Sequence, residues 1–296
     1  LNTERGTEIA LVEVFPRDGL QALLPEEWQR LDTSFKVKLC ERLAACGVPE
    51  IEATSFAHPR RLPQLADADE VTRRLSRSLG PRARALVPNQ RGLERAFDAD
   101  VRKVALFLVT SETYQNKNVG MDVRTTLNVI GKMKKELDVR GIPSCAALGT
   151  VFVCPYEGRM PEPRVREIVE QLVEFGFGEI CLADTAGTAD PRHVNELSEE
   201  LVEARWDGVE LALHLHDRDG LGLLNVVAGL EAGIRRFETS LLGIGAGLVV
   251  PGDPRGMGNV STIAVLDLFR QLDLVTGIDD TELRSTAKWT ESVLFG

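Results

Sequence analysis

The stretch EFGFGEICLAD, residues 174–184, holds the end of one element and the whole of the next. Upstream, PRVREIVEQLVEFG places apolar residues at helical spacing, and Gly176 offers the left-handed backbone that closes a helix. Downstream, EICLAD has the length and apolar content of a buried strand. Almost no loop separates the two. The same junction recurs at AACGVPEIE, residues 44–52, and at EAGIRRFE, residues 231–238. Strand-length apolar runs also occur at IALVEV, EIEATSF, RALVPN, KVALFLV, CAALGTVFV, ELALHLH and FETSLLGIG. Between them lie helical patterns such as SFKVKLCERLAACG, TTLNVIGKMKKELDVRG and RHVNELSEELVEA. In the first of these Phe35, Leu39, Leu43 and Ala44 share a face, and Gly47 ends it.

Strands alternating with helices favour a parallel sheet, and eight such units in under 300 residues predict an α/β fold of the closed (β/α)8 TIM-barrel type. The rival, a doubly wound open sheet, usually shows a glycine-rich phosphate turn after its first strand, and PRDGLQ is not one. The chain reads as a single domain over residues 1–296. The barrel is expected at about 8–273, with a short C-terminal helical extension at about 274–296.

A net charge of −10 argues against general nucleic-acid binding, which needs a basic footprint. No apolar run has the length of a membrane span, and no N-terminal stretch reads as a leader, so no membrane partner is expected. The five cysteines, Cys40, Cys46, Cys145, Cys154 and Cys181, are odd in number and form no CxxC pair. They read as reduced thiols in a cytoplasmic protein.

The run ALHLHDRDG, residues 212–220, uses two of the four histidines. In a strand His214 and His216 project to one face at neighbouring heights, as two nitrogen ligands of one ion would. Two hydrogen-bonded core histidines would satisfy the same spacing. A barrel requires its catalytic groups where strands end, at the C-terminal face. Strand one is expected to end in Arg17 and Asp18, and strand two, carrying Glu52, near Ser55. The loop after strand four would hold Asn116, Lys117 and Asn118, and strand six would end in Asp184 and Thr185. Strand eight would run into a glycine-rich loop finishing at Gly258 and Asn259. Charge at so many strand ends is costly unless it faces a solvated or ion-holding site.

Taken together, VEVFPRDGLQ, IEATSF, CPYEGRM, LADTAGT, LHLHD and the closing GMGN resemble the 3-hydroxy-3-methylglutaryl-CoA lyase family, part of the DRE-TIM metallolyases. The resemblance runs from about Glu8 to about Leu272. It implies a divalent cation held by Asp18, His214, His216 and the side-chain carbonyl of Asn259. Mg²⁺ or Mn²⁺ suits such a mixed set of nitrogen and oxygen ligands, with Co²⁺ or Zn²⁺ as alternatives. It implies that Arg17 stabilises an enolate, and that Glu52 and Asp184 orient this arginine and the ligand shell. Asp18 or an imidazole such as His214 would take the hydroxyl proton. Lys117 and Asn118 match a pair near the substrate carboxylate, and Gln21, Ser55 and Thr185 match flanking positions on the substrate side.

The activity implied is retro-aldol or retro-Claisen cleavage of a 3-hydroxy acyl substrate, with a CoA thioester as candidate and a homo-oligomer as the expected assembly. Alternatives are an aldolase or condensing relative acting on another hydroxy or oxo acid, and a barrel that binds metal and ligand without turnover. Condensing relatives usually carry a sizeable extra C-terminal region, whereas little follows the last barrel helix here. One departure stands out. The family loop after strand eight reads approximately G-L-G-G-C-P, and its cysteine is assigned the protonation of the enolate. Here the stretch is GIGAGLVVPGDPRGMGN, with Gly247 in that place. A metal-bound water is the first replacement donor, ahead of Tyr156 or a loop residue such as Asp253, and poor cleavage of 3-hydroxy-3-methylglutaryl-CoA itself is expected.

Overall fold

In the computed structural model, which describes residues 3–245, 247, 250–251 and 257–296, eight parallel strands close into a barrel. They are β1 Ala10–Glu13, β2 Glu50–Ser55, β3 Ala83–Val87, β4 Val104–Val109, β5 Ser144–Gly149, β6 Glu179–Asp184, β7 Glu210–Leu215 and β8 Arg236–Thr239. Each pairs with its sequence neighbours, and β1 closes on β8 with Ala10 opposite Arg236 and Glu13 opposite Thr239. This is the architecture that the helix–glycine–strand rhythm predicts. Gly47, Gly176 and Gly233, at the three junctions, all adopt positive φ (+91°, +88° and +96°). That conformation lets a helix stop and a strand begin without a spacer.

The helices start where their capping residues place them. Asp32 Oδ1 accepts the Phe35 N–H at 2.7 Å and opens the helix Thr33–Ala45. Asp122 and Asp190 do the same for Val123–Val139 and Pro191–Glu203. One contiguous apolar cluster, including Leu39, Leu43, Val165, Ile168, Leu197 and Phe237, lies between barrel and helices. The C-terminal helix Asp280–Phe295 covers the first long helix, with Trp289 stacked on Phe35 at 5.1 Å.

Four sequence expectations shift. β1 stops at Glu13, and Arg17 and Asp18 sit on a separate helical turn, Phe15–Gly19, opened by Pro16. Pro16 has no N–H to extend the ladder, so the chain coils there. β5 ends at Gly149, and the residues beyond form a two-stranded ribbon of Val153–Cys154 with Gly158–Arg159. β8 is only four residues long. Asn116, Lys117 and Asn118 lie on a helix, Glu112–Val119, capped by Ser111, and not in a loop.

Glu13 joins three segments that surround the barrel mouth. Its carboxyl accepts the N–H groups of Phe15 and Leu241, both at 2.9 Å, and the Thr262 hydroxyl at 2.7 Å. Burial pushes this carboxyl up to about 7, against the pull of those hydrogen bonds. A carboxyl raised in the folded state contributes stability that is complete below its unfolded value and lost as pH rises through the folded one. Glu13→Gln keeps the geometry and removes the charge. Between pH 5 and pH 8 the variant should therefore gain about 2 kcal/mol on the parent in urea unfolding, at about 1.4 kcal/mol per pH unit. Parallel pH profiles for the two proteins would show that Glu13 does not titrate in this window.

Candidate functional site

At the C-terminal mouth, β7 brings His214 and His216 to one face, as the spacing requires, with their rings 4.8 Å apart and edge to face. Each ring is fixed through Nδ1. His214 Nδ1 meets Glu238 Oε2 at 3.0 Å, and His216 Nδ1 donates to the Asp184 carbonyl at 2.9 Å. Both Nε2 atoms then turn toward Asp18 Oδ2, at 4.0 Å for His214 and 3.4 Å for His216. Asp18, His214 and His216 are the three groups among the described residues whose ligand atoms converge within 4.8 Å, and all are buried.

The donor set fits a divalent cation. Asn259 is bridged to His216 in a short antiparallel contact, and its Nδ2 donates to Asp18 Oδ2 at 2.7 Å. Its Oδ1 is buried without a hydrogen-bond partner. Turning this amide over would send the orphaned carbonyl oxygen toward the carboxylate, where a cation would satisfy it. Gly245 closes the cradle. A Cβ there would stand 1.9 Å from Asn259 Nδ2 and 2.7 Å from Asp18 Oδ2, so any side chain would fill the space between the ligands.

Electrostatics favour an ionised Asp18, the form a cation would need, and a protonated His214, whose proton a cation would have to displace. Burial acts to raise the Asp18 carboxyl, but the Arg17 guanidinium, then His216 and His214, outweigh it and keep it well below the usual range. Burial likewise acts to lower His214, yet the hydrogen bond and charge of Glu238 leave it raised. Arg17 donates from Nη1 to Asp18 Oδ1 at 2.5 Å and from Nε to Glu52 Oε1. It therefore lies beside the ligand shell with its plane set by two carboxylates.

Sequence reasoning missed what stands behind this pair. Arg84, 1% exposed on β3, donates from Nε to Glu52 Oε2 at 2.8 Å and from Nη2 to Glu238 Oε1. Glu238, on β8, reaches His214. A continuous circuit thus runs Arg17–Glu52–Arg84–Glu238–His214 through the barrel interior. Charged residues inside the apolar runs RALV and FETS were the available signal, since an ionised group on a barrel strand needs a buried partner.

Above the circuit opens a cavity of about 490 Å³. Gln21, Ser55, Lys117, Asn118 and Thr185 all line it, together with Arg17, Asp18 and both histidines. The Thr185 hydroxyl accepts the Thr150 N–H at 2.8 Å, and Arg61 reaches over to donate to the Asn118 carbonyl. Lys117 Nζ rests 5.0 Å from the Tyr156 ring centre. Asp184 is placed differently. Its carboxylate accepts the N–H groups of Gly187 and Ala189, at 3.2 and 3.0 Å, so it orders the loop after β6 and meets the ligand shell only through its own carbonyl. Of the side chains expected to replace the loop cysteine, Tyr156 is 37% exposed and Asp253 lies outside the described residues.

The HMGL-like family model matches residues 8–289, running past the Leu272 limit read from the motifs. A hydroxymethylglutaryl-CoA lyase of Bacillus subtilis is 36% identical, over 96% of this chain and 92% of that protein. An (R)-citramalyl-CoA lyase of Chloroflexus aurantiacus is 37% identical, over 97% of this chain and 91% of that protein. The structure of an HMG-CoA lyase from Acinetobacter baumannii, in complex with coenzyme A and 3-methylmalate, superposes with a TM-score of 0.88 at 31% identity, covering 97% of this chain and 91% of that one. With the closed barrel, the converging ligands and near-complete coverage in agreement, the chain belongs to the HMGL-like family.

Proposed function

We propose that the chain is a divalent-metal-dependent carbon–carbon lyase that cleaves a 3-hydroxy acyl-CoA thioester by a retro-aldol or retro-Claisen route. The observation that carries this reading is the convergence of Asp18, His214 and His216 beside Arg17 at the floor of the cavity. Those three residues and Asn259 would hold the cation, with Mg²⁺ or Mn²⁺ favoured by two nitrogens and two oxygens. When bound, such an ion polarises substrate hydroxyl and carbonyl oxygens and fixes their geometry.

The residues supply the rest. Cleavage removes the hydroxyl proton as the adjacent bond breaks and leaves negative charge on the enolate oxygen of the departing thioester. Arg17, permanently charged and clamped by Glu52 and Asp18, is placed to meet that charge without reorganising. Asp18 or His214 takes the hydroxyl proton. Lys117, Asn118, Gln21, Ser55 and Thr185 line the wall against which the acyl group and its carboxylate rest. Two relatives of nearly equal identity carry the names of lyases for different acyl groups, which supports the thioester class more than one acid. Five buried free thiols support a cytoplasmic site of action, and a homo-oligomer belongs to the same proposal.

Purified protein loaded with Mn²⁺ should release acetyl-CoA from 3-hydroxy-3-methylglutaryl-CoA or from (R)-citramalyl-CoA. Stoichiometric metal binding with no cleavage of either would favour the non-catalytic barrel. Metal binding itself is tested at Gly245. Gly245→Ala should weaken Mn²⁺ affinity at least tenfold, because its methyl group occupies the space between Asn259 and Asp18. Unchanged affinity in that variant would put the ion elsewhere.

A further inference from the structure

We propose that Tyr114 is the acid that protonates the carbon of the enolate released by cleavage, an assignment that rests on the lyase reading above. The ring is 2% exposed, lies on the helix Glu112–Val119 one turn before Lys117 and Asn118, and lines the cavity. Ser111 fixes the start of that helix by accepting the Tyr114 N–H at 3.0 Å, and the Cys154 thiol donates to the same hydroxyl at 3.0 Å.

Two glycines of the segment after β8 locate the phenol oxygen. A Cβ on Gly245 would stand 2.7 Å from Asp18 Oδ2, and a Cβ on Gly247 would stand 3.3 Å from Tyr114 Oη and 3.5 Å from Thr185 Cγ2. Two residues of chain span at most ~7 Å. The phenol and the three converging groups therefore flank the same stretch of backbone and line one cavity. Gly247 itself lines the cavity, and Val250 Cγ2, 2.6 Å from where a Gly247 Cβ would stand, packs into the space beside the phenol oxygen.

The other proton-bearing groups on this wall are less suited to the task. Arg17 and Arg61 are guanidinium ions, which do not release protons in proteins. His214 and His216 turn Nε2 to Asp18 and are occupied at Nδ1, and His58, also on this wall, is exposed and accepts the Arg60 N–H at Nδ1 at 3.1 Å. Cys181 is buried on β6, and burial pushes its thiol well above the usual value. Lys117 holds its ammonium against the Tyr156 ring. A phenol is a weak neutral acid, and an enolate carbon is basic enough to take its proton. In this step the Tyr114 O–H bond breaks and the enolate electron pair forms the new C–H bond. The phenolate left behind recovers a proton from solvent, and the proton taken from the substrate hydroxyl returns to solvent from the base.

The group that protonates the enolate must, in reverse, remove a proton from the thioester methyl group. Exchange of acetyl-CoA methyl hydrogens in D₂O, followed by mass spectrometry on Mg²⁺-loaded protein, therefore isolates this step from the identity of the full substrate. The parent should catalyse exchange, and Tyr114→Phe should slow it by about 10² to 10⁴. The variant should keep the circular dichroism and Mg²⁺ affinity of the parent, since only one oxygen is removed. Residual exchange should rise with the concentration of a small buffer acid and its conjugate base, a response that a structural role would not produce. Exchange at the parental rate in Tyr114→Phe, or no exchange by the metal-loaded parent, overturns the assignment. Exchange that is retained and Tyr114-dependent, in a parent that cleaves neither thioester, supports the assignment and sinks the substrate reading alone.

Discussion

Arg17→Lys should lower kcat for thioester cleavage by about 10² to 10³ while moving KM by no more than a few fold. The reason lies in the clamp. Glu52 Oε1 binds Nε and Asp18 Oδ1 binds Nη1, so the guanidinium plane is set before substrate arrives. A lysine ammonium is a point donor on a flexible stem, and it cannot hold both carboxylates and also present a fork to developing charge. Burial acts to lower Arg17, but Glu52 and Asp18 outweigh it and raise it, so the charge persists at any working pH. Steady-state kinetics of the metal-loaded variant decide the point. A near-normal kcat with a large rise in KM would make Arg17 a ground-state binding group, and unchanged constants would make it structural.

Arg84→Leu should destabilise the barrel by about 3 to 5 kcal/mol, the largest stability effect expected of any single substitution here. Arg84 is ion-paired to Glu50, Glu52, Glu179 and Glu238. Burial acts to lower its pKa, and the surrounding carboxylates raise it well above the usual value. Glu238 shows the reciprocal effect. Burial acts to raise it, while Arg84 and His214 hold it well below the carboxylate range. Leucine would leave Glu52 dependent on Arg17 alone and Glu238 dependent on His214 alone. Urea unfolding near pH 7.5 measures the loss. A change below about 1 kcal/mol would show that the carboxylates find other partners or protons. Because Glu238 orients His214, the variant should also bind Mn²⁺ more weakly, and a purely structural arginine would leave that affinity alone.

The barrel was legible because it depends on local chemistry. Eight apolar runs, helical spacing between them and glycine at three junctions each act within about ten residues, and together they leave few topologies open. The pair His214 and His216 was legible for the same reason, since strand geometry alone puts both rings on one face. Asp18, Arg17 and Lys117 could be nominated from motif matches, but their sequence neighbourhoods did not determine their shapes. Pro16 turned an expected strand end into a helical turn, and Ser111 turned an expected loop into a helix.

What joins residues far apart in the chain had no local signature. Arg84 and Glu238 are 154 positions apart and meet only because β3 and β8 face each other across a closed barrel. Tyr114 in sequence is one tyrosine of two, and it becomes a candidate acid only when the segment at Gly247 is folded against it. Hydrophobic period and backbone conformation are short-range properties, and they suffice to set the strand and helix order and with it the barrel. Which buried charges neutralise one another, and which hydroxyl-bearing residues line the cavity, are settled only in the closed barrel. Those outcomes depend on distances of a few ångströms across the barrel, over which Coulomb and hydrogen-bond energies change steeply.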